Sequence, residues 1–295
     1  MSEEQTPPAL KSKASPKRPD RWYWRLRKHL TPGLRNAQYA YLAALSETLG
    51  KGDDWLDIGC GRRIAPTWLS NGGRLESDLI GRAGRVVGVD PDASALSDNT
   101  LPMVKHHSTA ERVAEPDAAF DLITANMVVE HLETPGAMLC EAERLLRPGG
   151  VVLLHTPNRW YPVTVMASAV PSKLRRRVTG WLEKRAACDI YPTHYRMNSP
   201  QAIRRLAHHA GLEVESVRLT ADSPETVRLG LLVLPELAMI TLTRTRMCRF
   251  LRSNLIVTLR KPMQLSASAD DRNATRPVAQ DGDRLTPDRH YGEAA

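Results

Sequence analysis

The chain has 295 residues, 42% of them hydrophobic and 25% charged, the composition of an ordinary globular protein with enough chain for a sizeable core. This excludes a wholly disordered chain, a collagen, a small disulfide scaffold and a polytopic membrane protein. The net charge of +8 permits an acidic partner without demanding one.

Residues 1–20 are rich in Pro, Ser and Lys and read as a disordered tail, which the basic stretch that follows extends to residue 29. From there β-branched runs alternate with stretches of helical spacing. Strands are expected at Asp54–Ile58, Val86–Val89, Met103–His106, Phe120–Ala125, Val151–His155, Leu212–Arg218 and Leu255–Leu259. Helices are expected at 35–49, 63–70, 93–98, 134–146 and 199–210. The helix at 134–146 runs into Arg147-Pro148-Gly149-Gly150, strong stop chemistry, and the helix at 199–210 opens with Ser199 as N-cap and Pro200 in the first turn. The alternation predicts an α/β, Rossmann-like, doubly wound sheet. Residues 264–295, polar and poor in large apolar groups, read as a second disordered tail.

Cys60, Cys140, Cys188 and Cys248 are scattered with no C-x-x-C pair, which suits reduced thiols in a cytoplasm and argues against a zinc knuckle. The N-terminus has no apolar run, so it does not read as a secretory signal. The most apolar stretch, Leu229–Leu242, is interrupted by Pro235 and Glu236 and is shorter than the ~20 residues that span a bilayer.

The most informative segment is Trp55-Leu56-Asp57-Ile58-Gly59-Cys60-Gly61, a buried strand ending in a glycine turn. Ligands of open α/β sheets bind at such carboxyl ends. A second acid, Asp90, closes the next strand in Val86-Val87-Gly88-Val89-Asp90, where a carboxylate can accept both hydroxyls of a ribose. The third glycine of a pyrophosphate-binding G-x-G-x-x-G is missing, because Gly61 is followed by Arg62-Arg63-Ile64. Asp57 would repel pyrophosphate and suits a cation or an amino group.

Asp57-Ile58-Gly59-Cys60-Gly61, then Gly88-Val89-Asp90, Ala118-Ala119-Phe120-Asp121-Leu122-Ile123, Val129-Glu130-His131-Leu132 and Leu145-Leu146-Arg147-Pro148-Gly149-Gly150 resemble, in this order, the class I S-adenosylmethionine-dependent methyltransferases. The resemblance covers residues 35–160 well, with a likeness to type 11 and quinone O-methyltransferases. It implies a seven-stranded, mostly parallel sheet with an antiparallel last strand. It implies S-adenosylmethionine as cofactor, with Gly59, Cys60 and Gly61 under it, Asp57 at its methionine end and Asp90 on its ribose. It further implies Pro91 or Asp92, with Ala110 and Glu111, around the adenine and Asn126 on the methionine side. No metal is implied. The methyltransferase domain would span 30–262, with helical cap insertions at about 158–198 and 220–253.

Acceptor chemistry is less constrained. The fourth strand ends in Thr124-Ala125-Asn126-Met127, not the Asn/Asp-Pro-Pro-Tyr/Trp of amino-methylating relatives. An oxygen acceptor needs a base, and His131 and His194 are the candidates, with Tyr195 and Arg196 as acceptor contacts. The expected function is O-methylation of a small-molecule or a lipid- or sugar-linked metabolite. The alternatives are C-methylation of a lipid or quinone ring, and a cofactor-binding protein without catalysis. The insert at 220–253, apolar and then Arg-rich, fits a helix on an anionic membrane surface, a dimer interface or a buried helix. The protein is thus expected in the cytoplasm or at the inner face of its membrane, as a monomer or homodimer. Nucleic acid is not an expected partner, since the stacking and charge features it needs are missing.

Overall fold

The structure is a computed structural model and describes residues 21–169, 191–222 and 233–263. In chain order the elements are α1 (Arg21–Leu30), α2 (Ala37–Thr48), β1 (Asp54–Ile58), α3 (Gly72–Arg82), β2 (Arg85–Asp90), α4 (Ala93–Asp98), β3 (Val104–His107) and β4 (Phe120–Asn126). They continue with α5 (Pro135–Leu145), β5 (Leu146–Pro157), α6 (Pro162–Ala169), α7 (Pro200–His209), β6 (Glu213–Thr220), α8 (Val233–Thr243), a 3-10 turn (Arg249–Leu251) and β7 (Asn254–Arg260).

The seven strands form one sheet in the order β3-β2-β1-β4-β5-β7-β6. β1 to β5 are parallel, and β7 enters antiparallel between β5 and β6. The chain reverses its direction of travel across the sheet between β1 and β4. Ligands of doubly wound sheets bind at such a switch point. The central strands are apolar on both faces, as parallel strands covered by helices must be. Trp55, Leu56, Phe120, Ile123, Val152 and Leu153 are all fully buried.

At the amino-terminal edge of β1 and β4, Arg147 binds Asp54 at 2.7 Å and also binds Asp121. The arginine of the Arg-Pro-Gly-Gly segment therefore ties strand starts together, far from the glycine turn. Pairing of Phe120 with Leu146 starts β5 five residues earlier than its apolar run suggests.

Two expectations require correction. Residues 63–70 form turns, and the helix is Gly72–Arg82 instead. Pro66 breaks the first stretch, while Ile64, Ala65 and Leu69 still bury themselves against α2 and β1. Residues 21–29 of the expected tail belong to α1, because Tyr23, Leu26 and Leu30 fall on one helical face and pack on Val233 and Leu237 of α8. That packing buries one side of the apolar insert inside the protein. Residues 1–20, 170–190, 223–232 and 264–295 lie outside the described residues, and with them both outer tails and part of each expected cap insertion.

Candidate active site

β1 delivers Asp57 to the carboxyl edge of the sheet, and the chain then turns sharply. Gly59 adopts φ +70°, and a Cβ there would sit 2.3 Å from Val128 Cγ2. Gly61 is also left-handed, at φ +48°. Gly59 N–H donates to Val89 O at 2.7 Å, and Gly61 N–H donates to Asp90 Oδ2 at 2.9 Å. The turn is thus fastened to the end of β2. Asp90 also accepts the Asp92 N–H at 2.8 Å through Oδ1. Its carboxylate orders both loops at this end of the sheet and keeps spare lone pairs for hydroxyl donors.

Asp57 is 5% exposed. Thr124 Oγ1 donates to its Oδ1 at 2.6 Å, and Trp55 Nε1 donates to Thr124 Oγ1 at 2.8 Å. Burial dominates over the threonine bond and, with the Asp90 charge nearby, pushes the Asp57 carboxyl up to about 7. The folded state therefore holds a proton that the unfolded chain has lost between pH ~4 and ~7. Stability must fall as pH rises through that window. A cation placed at Asp57 would reverse the shift.

The remaining sequence-derived candidates divide. Cys60 contributes no thiol to the site. Its side chain is 1% exposed, lies under Gly88 of β2, and is pushed up to about 12 by burial and by Asp57 and Asp90. Pro91 is exposed beside Asp90, and its carbonyl meets His107 Nε2 at 3.0 Å. Ala110 is buried in the core, while Glu111 accepts a long bond of 3.4 Å from Thr134 Oγ1 at the start of α5. Asn126 closes β4, and its Oδ1 lies 2.8 Å from His155 Nδ1. His155 is stacked on Tyr41, and burial lowers its pKa to about 4, so the ring stays neutral.

The loop 191–196 is drawn across the carboxyl edge. Tyr191 OH donates to Asp92 Oδ2 at 2.9 Å. Backbone N–H groups of His194 and Tyr195 both donate to Glu130 O, at 2.7 and 3.2 Å. Arg196 Nη1 donates to Glu133 O at 2.8 Å. Tyr195 and Met127 hold positive φ, 50° and 58°, unusual for bulky side chains and both at this edge. His131 lies under the loop with its Nδ1 2.7 Å from Pro192 O, so that nitrogen carries the proton and Nε2 is the basic one. Glu130, 3% exposed, stands 3.8 Å from Nε2 and is held by Thr156 Oγ1 at 3.0 Å. Asn198 Nδ2 supports Thr156 in turn at 2.6 Å. His194 Nε2 pairs with the exposed Glu133, at 3.7 Å. Thr156, His155 and Asn198 were not singled out by the sequence, and Thr124 and Glu130 entered only as members of longer motifs. Their burial as polar groups marks all five, and burial is invisible without the fold. Among the described residues no group of His, Cys, Asp and Glu is arranged to hold a metal ion.

The sheet order, the glycine turn and the acids closing β1 and β2 define a class: the class I S-adenosylmethionine-dependent methyltransferases. The chain belongs to the methyltransferase domain family whose model matches residues 26–217. It is 28% identical over 182 residues to the ubiquinone biosynthesis O-methyltransferase of Aromatoleum aromaticum, covering 58% of this chain and 68% of that one. It is 37% identical over 120 residues to the ubiquinone/menaquinone biosynthesis C-methyltransferase of Cupriavidus necator, covering 38% and 48%. Several such relatives are matched over less than half of their length. Among solved structures, the complex of the Haloferax volcanii Trm112 methyltransferase activator with a methyltransferase aligns at TM-score 0.52 and 18% identity, over 81% of this chain and 95% of that chain.

Proposed function

We propose that this protein transfers a methyl group from S-adenosylmethionine to a hydroxyl of a small-molecule or lipid- or sugar-linked acceptor. The observation that carries the cofactor assignment is the pairing of Asp57 and Asp90 across one glycine turn. Asp90 would hold the ribose hydroxyls, and Asp57, costly to ionise alone, would be neutralised by the cationic methionine end. Gly59 and Gly61 would let the backbone pass beneath. When bound, the cofactor supplies an electrophilic methyl group, and the protein's task is to position the acceptor and take its proton.

His131 suits that proton better than His194. Its Nδ1–H is fixed on Pro192 O, and the nearby Glu130 carboxylate stabilises the imidazolium formed at Nε2. Tyr195 and Arg196 would border the acceptor. His131→Ala is expected to lower kcat about 100-fold or more with cofactor affinity unchanged, and His194→Ala to leave kcat within a few-fold. Transfer of labelled methyl from S-adenosylmethionine to a panel of hydroxylated lipids, quinols and sugars tests the function. Failure of every hydroxyl acceptor, with the cofactor bound, would reject O-methylation. The likeness to the Cupriavidus necator C-methyltransferase favours a second reading, methylation of ring carbon. A product methyl attached to carbon in the NMR spectrum would establish it.

Asp57→Asn tests the charge argument. The apo variant is expected to be more stable than wild type at neutral pH, because no charge is buried, and to lose the decline between pH ~4 and ~7. Its cofactor affinity should fall at least about tenfold. Thermal melts across pH and calorimetric titration read both; parallel melting curves for the two proteins would refute the shift assigned to Asp57.

A further inference from the structure

We infer that α1, the start of α6, α8 and the 3-10 turn form a docking face for an anionic lipid surface. These elements are packed on one another. Tyr23 of α1 is buried against Val233 and Leu237 of α8. Tyr161 OH, just before α6, donates to Glu236 of α8 at 3.2 Å, and Asn158 Nδ2 donates to Phe250 O and Arg252 O, each at 2.8 Å. Yet the same elements leave Trp22, Trp24, Trp160, Met166, Met247 and Phe250 exposed, with Met247 at 84% and Met166 at 71%. Large apolar side chains gathered on packed elements signal a partner.

Charge selects the partner. The stretches 21–36, 157–169 and 237–263 contain no Asp or Glu. The buried Glu236 is bonded to Tyr161. Arg25, Lys28, Arg159, Arg246 and Arg249 are exposed on or beside the same elements. On α1, Trp22 and Trp24 flank Arg25 and Lys28 on the side opposite buried Tyr23, and Arg159 lies over the Trp160 ring at 5.2 Å. Tryptophan beside cations is the pattern of the membrane interface, where the ring sits at headgroup depth and the cations meet anionic lipid. A second copy of the chain would set cation against cation. A nucleic acid would satisfy the cations and leave the methionines and Phe250 in water. No described helix is long and apolar enough to cross a membrane, so the face lies on the surface. The inference rests on this face and holds whether or not the acceptor is a lipid.

The experiment is flotation of the full chain with phosphatidylcholine vesicles and with vesicles in which about one lipid in three is phosphatidylglycerol. Flotation only with the anionic vesicles, weakened by salt, is expected. Arg246→Gln with Arg249→Gln should reduce partitioning about 30-fold, since each cation near such a surface contributes about fivefold. Met247→Ser with Phe250→Ser should reduce it by removing the buried apolar part. All four side chains are exposed or border the face, and calorimetric cofactor binding by each variant confirms folding independently of any methyl transfer. Absence of flotation, equal flotation with neutral vesicles, or variants that float like wild type would overturn the inference. So would a wild-type dimer in sedimentation that these substitutions dissociate, which would give the face to a second copy.

Discussion

Asp90→Ala is expected to weaken S-adenosylmethionine binding by at least about a hundredfold. Two charge-assisted hydrogen bonds to ribose hydroxyls contribute roughly 3 kcal/mol or more together, and each ~1.4 kcal/mol is a factor of ten. The substitution also removes the acceptor for Gly61 N–H and Asp92 N–H, so both loops lose their common anchor. Asp90→Asn is the milder change. It keeps one of the two backbone acceptors and removes the charge, so it should lose one loop anchor and part of the affinity. Calorimetric titration of S-adenosylmethionine and S-adenosylhomocysteine reads both variants. Wild-type affinity in Asp90→Ala would remove the ribose role from this carboxylate.

Gly59→Ala should be more damaging to the protein itself. A left-handed backbone costs a residue with a Cβ about 1–2 kcal/mol, and the new methyl would overlap Val128 Cγ2. Overpacking adds about 1–3 kcal/mol, so a loss near 3 kcal/mol is expected in denaturant unfolding, with cofactor binding abolished. Gly61→Ala supplies the comparison. Its φ is +48° but nothing lies nearer than 4.0 Å to a Cβ, so only the backbone part applies. Adding Val128→Ala to Gly59→Ala should recover the packing part and leave the backbone part. Equal stabilities for the Gly59 and Gly61 variants would show that the close approach to Val128 is relieved without cost.

The parts of the fold that the sequence exposes are those governed by short-range rules. β1, β2 and β4 are read correctly because a buried parallel strand must be a short apolar run, and α7 because Ser199 and Pro200 mark its start. Asp57 and Asp90 are legible as a pair since each closes such a run. The residues 63–70 mislead because Ile64, Ala65 and Leu69 are apolar for reasons of burial in a turn, which periodicity cannot distinguish from a helix face. The depth of the site is not legible for a different reason. Thr124 meets a tryptophan 69 positions earlier, and Asn198 meets a threonine 42 positions earlier. Only the sheet order brings these partners together. Tyr191 likewise reaches Asp92 across 99 positions.

The single hydroxyl of Thr124 has a consequence for how this protein can change. With Asp57 ionised, that oxygen receives the Trp55 proton and sends its own to Asp57, so one atom serves the packed interior and the charged pocket at once. Valine at 124 would keep the shape and strand two buried polar groups, each costing about 1–3 kcal/mol. Trp55→Phe alone would remove a donor that the hydroxyl accepts from. Substitutions at 55 and 124 should therefore be tolerated jointly and rejected singly, whereas Asp57→Asn keeps an acceptor for the hydroxyl, and a combinatorial library over these three positions should yield folded members in which 55 and 124 vary together.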